Sequence, residues 1–420
     1  MDRVLETIVP ARLGAGFRWL LANSWTSQLG DGIALTAGPL LVASQTDDAF
    51  LVAMATMLQW LPHLLFGLHA GAISDRLDRR RIAMAADVAR ALVLMVLVVA
   101  IVTGTVSIGV VLVVLFVRAT AEVYADNATA AMVPMLVTHE DLPTANARLM
   151  TGYVTINQLA APPIGAALFA VGWALPFAAQ LILVSAAVVM MARIVMPHRP
   201  PVVDATGATS IRAEVAHGLR WVRHHAAVRT LVLTIFTFNI TFGAAWSVLV
   251  LYSTERLGLG EVGFGLITTV IALGGLMGTV AYGWLTARLT LGDMMRIGLV
   301  IETLTHLGLA LATSPLVAMP IFFVFGAHAF VWGTTSSAIR QRAVPLGLQG
   351  RVGSINSVGT FGGLVVGSVL GGVLAQTLGV VAPFWFAFAG SAVFLVLIWR
   401  ELRHISHGDQ APVAAGAGQP

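Results

Sequence analysis

Apolar residues run in blocks of about twenty along most of the chain, separated by short polar breaks. A block of that length spans the hydrocarbon core of a bilayer as an α-helix. Twelve such windows occur, at about 16–44, 49–72, 82–103, 106–130, 143–168, 172–196, 228–253, 261–286, 293–313, 316–339, 352–377 and 380–400. The pattern predicts an all-α integral membrane protein of twelve transmembrane helices. The longest break, at 198–227, divides the spans six and six. Inside it Ile211, Val215, Leu219 and Val222 recur at helical spacing, with Arg on the other face. This predicts an amphipathic helix on the inner membrane surface. The expected organisation is a six-helix bundle at 1–197, a linker at 198–227, a second bundle at 228–403 and a disordered tail at 404–420.

The two halves repeat. Val133-Pro134 aligns with Val344-Pro345, Ala145-Asn146 with Ile355-Asn356, and Gly165 with Gly371. The stretch "GAISDRLDRR" from Gly71 is echoed by "GWLTARLTLG", with Gly71 matching Gly283. Parallel halves of this kind occur in transporters whose bundles rock about a midplane site.

Composition narrows the chemistry. Hydrophobic residues make up 57% of the chain and charged residues only 10%, against roughly 25% charged in soluble domains. All 24 basic residues are Arg. Without Lys there is no P-loop and no Schiff-base chemistry. Without Cys there is no thiolate metal site. No His/Asp/Glu grouping has metal-site spacing, and no nucleophile–base constellation marks an enzyme. Arg crowds the breaks on one side of the twelve spans, and the other side holds only Arg256. The positive-inside rule then puts both termini in the cytoplasm. This explains the basic balance without nucleic acid. The N-terminus lacks the features of a cleaved signal peptide.

Charges within a span cost about 2.5–3.5 kcal/mol each on insertion scales, so they face protein or water. Ser24, Ser27, Gln28 and Asp31 share one face of span one by their i, i+3, i+4, i+7 spacing. They are expected to line a cavity, with Asp31 able to bind and release a proton. Arg118, Glu122 and Asp126 stack along span four. Arg118 and Glu122 form either a structural ion pair or a proton-sensitive one. Asn239, Phe242 and Trp246 lie on one face of span seven, either as a substrate surface or as packing. Glu302 and His306 are spaced to pair in span nine, and His328 and Trp332 share a face of span ten, where they are expected to line the substrate cavity.

The most charged stretch is "GAISDRLDRRR", with six charges in eleven positions. Gly71, Asp75, Arg76, Arg79 and Arg80 resemble the loop between spans two and three of the major facilitator superfamily. Asp78 stands where that motif has Gly. "SQLGDGIAL", "DNATAAMVPMLV" and "GLRWVRHHAAVR" look like the efflux branch that includes macrolide and enterobactin-type exporters. The resemblance implies two pseudo-symmetric six-helix bundles. It implies a gating loop in which Asp75 meets the start of span eleven, near Arg351, and Arg79 meets Asp126. Ala161-Pro162-Pro163-Ile164-Gly165-Ala166 is similar to the antiporter motif of span five, with Ala at both outer Gly positions. Gly359, Gly363, Gly367 and Gly371 form a packing face on span eleven.

The expected function is export of a small amphipathic compound, drug-like or siderophore-like, by proton antiport. The expected setting is a bacterial inner membrane, with the chain a functional monomer needing no cofactor. Two other readings are an uptake symporter for a nutrient and a non-transporting scaffold or sensor.

Overall fold

The computed structural model describes residues 10–196, 219–345 and 348–399. The linker helix expected over Ile211 to Val222 falls mostly outside them, as does the tail. Only 219–224 is described, and it is helical. Twelve long helical stretches follow one another: α1 Gly14–Ala43, α2 Ala49–Arg76, α3 Arg79–Val102, α4 Ile108–Leu136, α5 His139–Val171, α6 Leu175–Ala192, α7 Ala226–Trp246, α8 Glu261–Thr286, α9 Leu291–Leu311, α10 Pro315–Ala343, α11 Gln349–Leu378 and α12 Ala382–Ile398. Ten are long and apolar enough to cross a membrane, and α12 is apolar but shorter. The remaining helix, α1, is 30 residues long and carries the polar stripe of Ser24, Ser27, Gln28 and Asp31.

Short side chains start several helices by taking up the free N–H groups of the first turn. Asp48 accepts from Phe50 and Leu51 at the start of α2, and Asp78 accepts from Arg81 at the start of α3. Ser107, Thr290 and Ser314 do the same for α4, α9 and α10. The charged loop is thus two residues long, Leu77 and Asp78, with its charges set on the helix ends around it.

By packing, the chain forms two units. One holds α1–α6 with residues Ser247–Thr269, and the other holds α7 and the chain from Val270 onward. Ser247–Thr269, expected with the second bundle, pack with the first six helices. Within that first unit α5 is a π-helix over Tyr153–Ala160 before it resumes at Ala161. Pro163 cannot donate to the Leu159 carbonyl one turn earlier. The Thr269 hydroxyl donates to that carbonyl instead, at 3.2 Å. A backbone group freed by proline is satisfied by a neighbouring segment, as the apolar setting requires.

Glycine sets the closest helix approaches. A Cβ on Gly165 would stand 2.6 Å from the Ile33 carbonyl, which fixes α5 against α1. A Cβ on Gly243 would stand 2.7 Å from the Leu364 carbonyl, and one on Gly363 would stand 2.6 Å from the Phe236 carbonyl. A Cβ on Gly367 would overlap the Ile240 carbonyl. The same device therefore joins α1 to α5 in one unit and α7 to α11 in the other. Gly371 is buried on the same helix. Without a hydrophobic force between helices in lipid, such close contact is what holds them together.

The glycine face of α11 is not uniform. A Cβ at Gly359 would come no closer than 3.8 Å to Val232. Gly367→Ala is expected to destabilise the protein by about 1–3 kcal/mol, the usual cost of overpacking. Gly359→Ala should be neutral. Thermal unfolding of the two purified variants in detergent checks the contrast. Equal stability would mean that α7 and α11 are not held by this contact.

Candidate functional site

The polar stripe of α1 leads into a buried cluster of charges within the first unit. Asp31 is buried, and its carboxylate is gripped by the guanidinium of Arg90 from α3. Arg90 also donates to Asp87 Oδ1 at 3.0 Å and to Ser27 Oγ at 3.1 Å. The Ser27 hydroxyl donates to Asp31 Oδ2 at 3.3 Å, and the amide of Gln180 from α6 reaches Asp31 Oδ1 at 3.3 Å. Arg118 from α4 lies 3.5 Å from the same oxygen and donates to Glu122 at 2.8 Å. Four helices thus converge on one carboxylate.

Arg90 has no exposed surface. It stands eleven positions into α3, about 16 Å along the axis. Burying a charge at that depth is tolerated only with partners. Three carboxylates, Asp31, Asp87 and Glu122, face two guanidiniums, Arg90 and Arg118. Fully ionised, these five groups carry one excess negative charge, with Asp126 and His63 within electrostatic reach of them. Glu122 is the most open member, with 17% of its side chain exposed. The Nε atoms of Arg90 and Arg118 and the Oε1 of Gln180 have no hydrogen-bond partner. A partly satisfied network in apolar surroundings leaves room for a second arrangement.

Asp31, Glu122 and Arg118, each singled out by a charge within a span, meet in this cluster. Asp87, Arg90 and Gln180 join them without having been expected. Arg90 lies inside the window 82–103 but was not singled out there. The same insertion cost that singled out Asp31 applies to the Asp87-x-x-Arg90 pair. Ser24 and Gln28 are half-buried on α1, and the Gln28 carbonyl accepts from Asn157 of α5 at 3.1 Å.

The loop residues sit differently from expectation. Arg79 donates to the Ser74 carbonyl at 2.9 Å and to Met135 Sδ at 2.7 Å. It makes no ion pair with Asp126, which is exposed. The reason is the length of α4. It was expected to end at 130 but runs to Leu136. Asp126 is nine residues before Met135, about 13 Å deeper along the axis. Arg80 donates to the last carbonyls of α6, at Met191 and Ala192, so it caps a helix as well as marking the basic side. Arg76 is exposed at the end of α2, where a cation suits the helix terminus. The Asp75 side chain lies outside the described residues. Gly71 has open space, with Asn127 Oδ1 of α4 at 3.9 Å from the place of a Cβ.

In the second unit Phe242 stacks on Trp246 at 4.3 Å, and both meet Phe325 of α10, at 5.7 and 4.6 Å. The face of α7 is therefore partly used in packing. Asn239 donates to its own helix at Ile235. Glu302 does not pair with His306. It meets His328 Nε2 of α10 at 3.3 Å, and His306 is fully buried with neither ring nitrogen bonded. Among the described residues no group of His, Asp and Glu is placed to hold a metal ion.

Arg90→Ala would leave Asp31 and Asp87 buried without their cation. It is expected to cost roughly 3–5 kcal/mol, as for other broken buried pairs. Arg90→Met combined with Asp31→Asn and Asp87→Asn should recover most of that loss. Denaturant unfolding of purified protein separates the two. A mild Arg90→Ala effect would mean the cluster is solvated.

The chain is 23% identical over 397 residues to macrolide efflux protein A of Streptococcus pyogenes, covering 90% of this chain and 96% of that protein. It is 28% identical over 399 residues to the multidrug efflux pump Tap of Mycolicibacterium fortuitum, covering 87% and 90%. Among solved structures, an inward-facing bacterial homologue of the iron transporter ferroportin superposes with a TM-score of 0.74 at 17% identity, covering 92% of this chain and 98% of that one. The nucleoside transporter NupG superposes at 0.69 and 12% identity, covering 95% and 100%. At such identities these two structures speak for the fold alone. The profile of the transmembrane secretion effector family matches residues 7–417, and the chain belongs to that family of major facilitator transporters.

Proposed function

We propose that this transporter exports a small amphipathic compound, drug-like or siderophore-like, in exchange for protons. The observation that carries the reading is the buried cluster with one more carboxylate than guanidinium. Protonation of Asp31 or Glu122 removes the excess charge and releases part of the hold on Arg90 or Arg118. A two-state bundle biased by that change would alternate its access. The efflux activity named for macrolide efflux protein A and Tap supports the direction of transport. The polar stripe of α1 and the aromatic face of α7, with Phe242 and Trp246, suit a substrate that is apolar with a few polar groups. The loop of Gly71, Asp75, Arg76 and Arg79 acts in gating, with Asp126 meeting Arg79 only in another conformation than this one. The chain works as a monomer in a bacterial plasma membrane, with both termini in the cytoplasm.

The test uses energised inverted membrane vesicles containing the protein, with internal acidity followed by a pH-sensitive dye. A panel of drugs and siderophores is added. At least one compound is expected to dissipate the gradient, and Asp31→Asn and Glu122→Gln should abolish the effect. Uptake of radiolabelled nutrients by whole cells, with no compound acting in vesicles, would replace export with import. Full activity in both variants would remove the proton roles of the two acids.

A further inference from the structure

The second-half echo of the charged loop, "GWLTARLTLG", has no part in the function proposed above. The two copies are 283 − 71 = 212 positions apart. At that offset Arg288 matches Arg76, but Ala287 and Thr290 stand where the first half has Asp75 and Asp78. The echo holds a cation with neither acid. The next acid along the chain, Asp293, accepts from the Thr290 hydroxyl at 2.7 Å and lies 3.5 Å from Arg296.

This loop stands over a gap between helices of the second unit. A Cβ on Gly274 of α8 would overlap the Phe323 carbonyl of α10, one on Gly278 the Ala327 carbonyl, and one on Gly326 the Ile271 carbonyl. Nearer the Arg-rich ends of the two helices, at Gly283 and Gly333, a Cβ would meet nothing within 4 Å. Two cavities lie in this region. An apolar one of about 250 Å³ is set among α8, α9 and α10, with Met277, Ile297 and Val324 in its wall, each about half exposed. A larger one of about 800 Å³ lies at the helix ends, where Arg288 and Arg342 line it. Leu289 lines both, so the two adjoin. Among the described residues no Asp or Glu lines either.

The Arg288 guanidinium lies over the ring of Trp284 at 4.2 Å. Stacking uses the face of a guanidinium and leaves its N–H edges for hydrogen bonds. Trp284 is 58% exposed, and an exposed Trp near a helix end suits the headgroup level of a bilayer. Guanidinium forks match phosphate oxygens in geometry and charge. Leu291, in the first turn of α9, also lines the larger cavity, and the positive end of that helix adds to the same sign. We propose that this cleft seats one anionic phospholipid, with its phosphate on Arg288 and Arg342 and one acyl chain in the apolar cavity. The headgroup carries a net negative charge, because the ammonium of a zwitterionic lipid would enter a pocket of two cations and no acid. Basic pockets between helices on the cytoplasmic side suit such headgroups. On the orientation proposed above, the lipid belongs to the cytoplasmic leaflet. Its binding depends neither on export nor on proton coupling.

The experiment is native mass spectrometry of the purified, delipidated full-length protein in detergent. It is titrated with phosphatidylglycerol, and with phosphatidylcholine of the same chains as control. One phosphatidylglycerol is expected to bind more tightly than any phosphatidylcholine. Arg288→Gln and Arg342→Gln should each weaken it by about fivefold, the worth of one basic residue near an anionic surface. Ala281→Phe, which fills the apolar cavity, should also weaken it. Arg81→Gln, at an exposed Arg of the first unit, should change nothing. Thermal unfolding verifies that the variants are folded. Equal binding of the two lipids would overturn the anionic assignment. Unchanged affinity in both Arg variants would overturn the site. Unchanged affinity in Ala281→Phe, or displacement of the lipid by excess inorganic phosphate, would remove the acyl chain and leave a site for a free anion. Loss of transport in vesicles with lipid binding intact would count against the export reading only.

Discussion

The Arg90 guanidinium against the Asp31 carboxylate is the contact on which the first unit depends. Both groups are buried, and neither is tolerable in the hydrocarbon region alone. Their pairing dictates which faces of α1 and α3 meet. It also draws in α6 through Gln180 and α4 through Arg118. Helix packing in a membrane gains little from hydrophobicity, since lipid tails are as apolar as Leu. A charge cluster shared by four helices supplies the specificity that apolar contacts lack.

Glycine contacts do the complementary task. Gly165 in α5 and Gly363 and Gly367 in α11 let backbones approach until carbonyls lie where a Cβ would be. The pairing α1 with α5 in one unit matches α7 with α11 in the other. Gly32, also in close contact with α5, and Gly243 stand 243 − 32 = 211 positions apart. That agrees with the spacing of the sequence repeat. Among the described residues the charge cluster has no such counterpart. At the corresponding places in the second unit the buried polar pair is His328 with Glu302, and the contact is between α9 and α10. The halves share packing and differ in chemistry.

Helices were legible because a bilayer-length apolar run has few alternatives. All twelve expected windows correspond to helical stretches. Helix ends were less legible, and they mattered. Six additional residues at the end of α4 separate Asp126 from Arg79. The stripe of α1 could be read from spacing alone, since 3.6 residues per turn fixes which residues share a face. Its partners could not, because nothing local in the sequence says that α3 and α6 turn Arg90 and Gln180 toward Asp31. The same holds for His328. Spacing paired Glu302 with His306 on one helix, whereas tertiary packing gives the carboxylate to α10.

The buried acids and guanidiniums of the cluster carry one negative charge too many when fully ionised. Infrared spectroscopy of the purified protein across a pH titration detects this directly, through the C=O stretch of a protonated carboxyl. A carboxylic acid band is expected to appear on acidification and to be lost in Asp31→Asn, Glu122→Gln or Asp87→Asn, each of which leaves two carboxylates facing two guanidiniums. A spectrum in which none of these substitutions changes the carboxyl region would contradict it, and the cluster would then be a static brace between helices.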